Sequence, residues 1–200
     1  MDPMLSASLK PVVTRAINPI ALAALRIGLT PNAVTLLGAI GLISSALFLY
    51  PNGHLFGGTI AISIFALSDL FDGAMARISQ KGASSWGGFL DSTIDRLTDS
   101  AILIGVCLYL ISEKDPLAPV VLGVLVSGFL VSYIRAKAES MQIECAGGIA
   151  ERTERLIIAL TVIGFEGLGV SYALAIGMWL LLLLAVVTVI QRILIVKAAL

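Results

Sequence analysis

Charge is scarce in this chain. Only 13% of its 200 residues are Asp, Glu, Lys or Arg, against 58% hydrophobic. Mean hydropathy is +1.00, far above what a water-soluble domain needs. Cysteine is nearly absent: Cys107 and Cys145 do not make a disulfide framework and read as packing residues. The one histidine, His54, leaves no Ser-His or Cys-His arrangement for a covalent mechanism and no imidazole cluster for zinc. Period-2 alternation is missing from the apolar runs, which argues against the strands of a membrane barrel. Low-complexity tracts and a strong internal repeat are missing too. The N-terminal stretch lacks the compact apolar core and small-residue site of a cleavable signal peptide.

What remains is long apolar sequence rich in Leu, Ala and Ile. A helix needs roughly 18 or more such residues to cross a bilayer, and in lipid the backbone is satisfied only by helices or closed barrels. The expected fold is therefore an all-α integral membrane protein with six transmembrane helices. The expected spans are about Ala33–Tyr50, Leu55–Ile78, Gly87–Ile111, Pro116–Ala138, Arg155–Val170 and Tyr172–Val196. Pro51-Asn52-Gly53, Glu113-Lys114-Asp115-Pro116 and Gly167-Leu168-Gly169 punctuate them. No linker divides the chain, so residues 1–200 are expected to form a single domain, with a six-helix bundle over 33–198. Ahead of it, Leu5, Leu9, Val12, Val13, Ile17 and Ile20 recur at near-helical spacing around Lys10, Thr14 and Arg15. That pattern predicts an amphipathic helix over about 5–26 lying on the inner membrane surface; a linker packed on the bundle is the alternative.

The basic residues orient the spans. With six crossings and both termini in the cytoplasm, Lys114 alone of the thirteen Lys and Arg residues falls outside.

Against this apolar background stand Asp69, Asp72, Asp91 and Asp95. They belong to a string D-x-x-D-G-x-x-A-R, then nine residues, then G-x-x-x-D-x-x-x-D. Ionisable groups at membrane depth are costly and point to function. Asp69 and Asp72 are spaced i, i+3, and Asp91 and Asp95 i, i+4, so each pair shares a helix face. The short loop through Lys81 and Gly82 makes the two helices antiparallel neighbours, and the carboxylates converge at the cytoplasmic rim. Four carboxylates side by side need compensation, and hard divalent cations (Mg²⁺, Mn²⁺ or Ca²⁺) suit oxygen ligands. A pair of such ions is the arrangement that clamps phosphoryl chemistry. Gly73, Ala76, Gly87 and Gly88 permit close approach of a bulky ligand or backbone; Arg77 and Ser84 can meet its phosphate. Two alternatives stand beside group transfer: a cation or proton transporter, and a structural ion-pair network with Arg77 and Arg96.

The strings D-L-F-D-G-A-M-A-R (69–77) and G-G-F-L-D-S-T-I-D (87–95) resemble the signature of the CDP-alcohol phosphotransferases. The resemblance implies a six-span enzyme that displaces CMP from a CDP-linked donor by attack of an acceptor hydroxyl. It further implies two divalent cations, Mg²⁺ or Mn²⁺, on Asp69, Asp72, Asp91 and Asp95. Asp95 would also be the general base. Gly73, Arg77 and Ser84 would bind the CDP moiety, as would Asn32, Ala33, Val34 and Thr35 at the start of the first span; the family often carries Asp where this chain has Asn32. Because the site opens at the lipid interface, the expected donor is CDP-diacylglycerol. A homodimer is implied, with membrane lipids around it, and no nucleic-acid partner is expected.

Basic residues beyond the motif bear on the acceptor. Arg135, Lys137, Arg152, Arg155 and Arg192 lie on the same side as the aspartates and suit an acceptor carrying a phosphate. The segments S-Y-I-R-A-K-A-E and I-A-E-R-T-E-R-L-I resemble those of actinobacterial phosphatidylinositol phosphate synthases. That likeness implies inositol 1-phosphate as acceptor, its phosphate held by Arg135, Arg152, Arg155 and Arg192 with Ser132 and Lys137. Glycerol 3-phosphate, as used by a phosphatidylglycerophosphate synthase, is the alternative.

Overall fold

The computed structural model describes residues 17–78, 84–145 and 147–200. Most of the expected surface helix (residues 5–16) lies outside them, as do the loop residues Lys81 and Gly82. Every regular element among the described residues is helical. In chain order these are α1 (Ile17–Arg26), α2 (Pro31–Leu49), α3 (Leu55–Ala66), α4 (Ser68–Ile78), α5 (Ser85–Ser112), α6 (Ala118–Ser140), α7 (Arg152–Gly167) and α8 (Ala173–Ala199).

Among the described residues, four helical stretches are long and apolar enough to cross a membrane: α2, the α3–α4 run Leu55–Ile78, α6 and α8. The α5 helix has ample length at 28 residues but carries Asp91, Asp95, Arg96 and Asp99. The α7 helix has 16 residues, short of a full crossing. The chain is a membrane protein on this evidence: Ile64, Ile176, Leu183 and Phe48 point outward with more than half their surface uncovered, as lipid contact requires.

Helix ends follow the turn signals. Gly53 and Gly169 take left-handed backbone (φ +77° and +83°) after α2 and α7. At each, the glycine N–H and the next N–H turn back onto the closing carbonyls, from Gly53 and His54 to Tyr50 and Leu49, and from Gly169 and Val170 to Glu166 and Phe165. A break inside the expected second span was not signalled. At Leu67 the ladder tightens to i→i−3, with the Leu67 N–H on the Ile64 carbonyl and the Leu70 N–H on the Leu67 carbonyl. One apolar run thus becomes two helices, and α4 starts immediately ahead of Asp69.

The helices divide between two compact units, one running up to Leu42 and resuming over Ile62–Thr98, the other formed by Ile43–Ala61 and Asp99–Leu200. In the first, α1 lays Ala21 on Ala74 and Met75 of α4, with Ile17, Leu25, Val34 and Ile78 around them. Gly38 and Gly41 of α2 lie so close to Ser68 and Phe65 that any side chain there would collide. In the second, α8 packs on α6 and α7. Gly177 makes room for Val162, and Gly105 of α5 rests on the Ala46 backbone of α2. Small residues at helix contacts are what membrane packing favours, since lipid supplies no hydrophobic drive between helices.

Candidate active site

The acidic motif is built on three helix starts of the first unit. Thr30 caps α2: its hydroxyl accepts the Ala33 N–H at 3.2 Å, with Pro31 at the first helical position. One turn on, Thr35 is buried and its hydroxyl donates to the carboxylate of Asp72 on α4. Asp72 is itself only 8% exposed. Asp69 sits half-buried in the first turn of α4, where the positive end of the helix dipole favours a carboxylate. Asp72 follows Asp69 by one turn on α4, and Asp91 stands on α5 of the same unit. Asp91 is exposed and Asp95 half-buried, with the Arg96 guanidinium 3.9 Å from its carboxylate.

The third helix start adds polar groups. Ser84 caps α5, its hydroxyl accepting the Gly87 N–H at 2.9 Å. A Cβ built on Gly87 would sit 3.1 Å from Ser84 Oγ and 3.4 Å from Asn32 Oδ1. Asn32, Ser84 and Gly87 therefore converge where α2 and α5 begin. Arg77 is exposed and runs past Gly73 on the same face of α4. Val34 is committed to packing beside Ala74 and Met75.

The donor set suits a hard cation. Burying a carboxylate costs several kcal/mol, of which one hydroxyl donor returns roughly 1.5–3 kcal/mol; like charges from Asp69 and Asp91 add to the cost. An oxygen-only set of this kind matches Mg²⁺ or Mn²⁺ in chemistry. Among the described residues, no three Asp, Glu, His or Cys side chains gather closely enough to form a ready-made ligand group.

The expected acceptor residues all lie in the second unit. Arg155 and Arg192 are buried rather than spread along a rim. Arg155 donates to the Ala150 carbonyl at 2.8 Å; Arg192 donates to the carbonyls of Gly147 at 3.0 Å and Val131 at 2.6 Å. Arg152 reaches Asp99 of α5 at 3.3 Å, and Arg135 pairs with Glu139 at 2.8 Å on the surface. Lys137 is exposed, and the Ser132 hydroxyl bonds back to the Gly128 carbonyl at 3.3 Å. Thr188, Gln191 and Asp99 partner this cluster without having been singled out. The signal was present: Thr188, Gln191 and Arg192 are polar at i, i+3 and i+4 in a helix that is apolar over Ala173–Val187.

Membrane-length apolar helices that carry an acidic motif are the parts of a membrane-bound group-transfer enzyme. The model of the CDP-alcohol phosphatidyltransferase family matches residues 28–197, and the chain belongs to that family. It is 42% identical over 204 residues to the phosphatidylinositol phosphate synthase of Streptomyces avermitilis, covering 97% of this chain and 83% of that protein. Its fold is similar to the crystal structure of Mycobacterium tuberculosis phosphatidylinositol phosphate synthase with CDP-DAG bound, at TM-score 0.86 and 41% identity over 91% of this chain and 94% of that one. The same enzyme in complex with manganese and citrate matches at TM-score 0.85 and 41% identity, over 90% of this chain and 88% of that one.

Proposed function

We propose that this enzyme transfers a phosphatidyl group from CDP-diacylglycerol to inositol 1-phosphate, releasing CMP and forming phosphatidylinositol phosphate. The observation that carries the reading is the near full-length likeness to synthases of that name, joined to the acidic motif of 69–95 and to arginines that suit a phosphorylated acceptor.

Asp69, Asp72, Asp91 and Asp95 would hold two divalent cations, Mg²⁺ or Mn²⁺. Bound there, the ions would neutralise charge building on the pyrophosphate and the departing CMP. The residues of the chain account for the rest. Thr35 fixes one Asp72 oxygen by its hydrogen bond and so limits how that carboxylate turns. Asn32, Ser84, Gly73 and Arg77 hold the CDP portion. Asp95 takes the proton of the acceptor hydroxyl as that oxygen bonds to the β-phosphorus; the bond from the β-phosphorus to the bridging oxygen breaks, and CMP leaves with the electron pair. Arg135, Arg152, Arg155 and Arg192, with Ser132 and Lys137, hold the acceptor phosphate. No covalent enzyme intermediate is needed.

The whole chain, 1–200, acts as one domain in this reading. It crosses the membrane six times with both termini and the active site cytoplasmic, carries its N-terminal helix at the inner surface, and works as a homodimer. The one-sided distribution of Lys and Arg supports the orientation. A panel of acceptors tests the assignment, using purified enzyme in CDP-diacylglycerol vesicles with Mg²⁺. Turnover is expected to be fastest with inositol 1-phosphate; faster turnover with glycerol 3-phosphate would assign the alternative acceptor.

A further inference from the structure

We propose that Thr188 and Gln191 of α8 are positioning residues for the acceptor phosphate, acting through the segment Gly147–Ala150; the proposal rests on the assignment of Arg152 and Arg155 to that phosphate. This segment is the lead into α7, whose first turn carries both arginines.

Four consecutive residues there have no helix or strand to satisfy their backbone, and α8 supplies partners instead. The Ile149 N–H donates to Gln191 Oε1 at 3.2 Å. The Ala150 N–H donates to Thr188 Oγ1 at 3.3 Å, and the Thr188 hydroxyl in turn donates to the Leu184 carbonyl at 2.8 Å. Arg192 closes the set on the Gly147 carbonyl. Gly147 and Gly148 hold φ of +104° and +135°, backbone that residues with a side chain rarely adopt. A Cβ on Gly148 would strike the Thr188 methyl. Thr188 is fully buried, so its hydroxyl is specified by this contact rather than by water.

The consequence runs forward along the chain. Ala150 is held at its N–H by Thr188 and at its carbonyl by Arg155. The same peptide segment therefore fixes the entry of α7 and one face of the Arg155 guanidinium. The aspartate motif lies on other helices, α4 and α5. The effect should appear in acceptor affinity and not in donor affinity.

The test compares Thr188→Val, Thr188→Ser and Gln191→Met in the full-length enzyme, measuring KM separately for CDP-diacylglycerol and for the acceptor. Thr188→Val removes both hydrogen bonds at nearly constant volume, and Gln191→Met removes one acceptor. Each is expected to raise the acceptor KM roughly five- to tenfold with the donor KM unchanged, and Thr188→Ser is expected to restore it. A proportional rise in both KM values, or no rise in either, overturns the proposal. The acceptor used is whichever the wild-type enzyme turns over fastest, so a preference for glycerol 3-phosphate would refute the inositol phosphate assignment without deciding this one.

Discussion

The hydroxyl of Thr35, one turn into α2, donates to the buried carboxylate of Asp72 on α4. Two segments 37 residues apart are thereby tied at the most buried acid of the motif. The family resemblance assigns Thr35 to the CDP moiety; the geometry gives its hydroxyl to an acid expected to bind metal.

Removing that donor should therefore show up in the metal requirement. Hydrogen-bond partners of metal ligands typically contribute 10–100-fold in metal affinity. Thr35→Val is expected to raise the Mg²⁺ concentration giving half-maximal CMP release by about tenfold, while Thr35→Ser stays close to wild type. The check is a metal titration at saturating substrates.

Asp95 differs from its neighbours because its expected role includes taking a proton. General-base contributions are about 10²–10⁴ in rate. Asp95→Asn should lower CMP release by at least that lower bound while binding of CDP-diacylglycerol largely survives, measured by equilibrium binding on the same preparation. Normal turnover in the variant would remove the base assignment.

Packing near the motif gives a prediction independent of chemistry. Gly38→Leu would drive a side chain into Ser68, with the Phe65 carbonyl 3.2 Å from the new Cβ. Overpacking of this kind costs about 1–3 kcal/mol, so thermal unfolding in detergent should come at a visibly lower temperature. Gly57→Leu is the control, since a Cβ there meets nothing within 4 Å, and it should leave the unfolding temperature unchanged.

The helices were largely legible because a long apolar run in lipid has few conformational choices. Their ends were legible where glycine or proline marks them, as at Gly53 and Gly169. The break at Leu67 was not, because no proline marks it and Gly57, Gly58 and Gly73 all lie away from it; beside it Ser68 packs close on Gly38, a contact between distant segments. The acids stood out by spacing, as i, i+3 and i, i+4 pairs in an apolar chain, while their chemistry came from the family resemblance. The arginines were legible as a group and not in their individual roles. Basic residues near span ends read as cytoplasmic anchors; nothing local tells that Arg192 is 3% exposed and bound to two backbone carbonyls while Arg135 faces outward. That distinction comes from the irregular segment before α7, whose path no periodicity predicts.

The most direct measurement is CMP release from CDP-diacylglycerol by the purified enzyme, with inositol 1-phosphate present, as divalent cations are stripped by chelation and then restored. Release should stop on chelation, return with Mg²⁺ or Mn²⁺, and yield phosphatidylinositol phosphate in equal amount to CMP. Release that continues unchanged without divalent cations, or CMP formed with no phosphatidylinositol phosphate, would contradict the account.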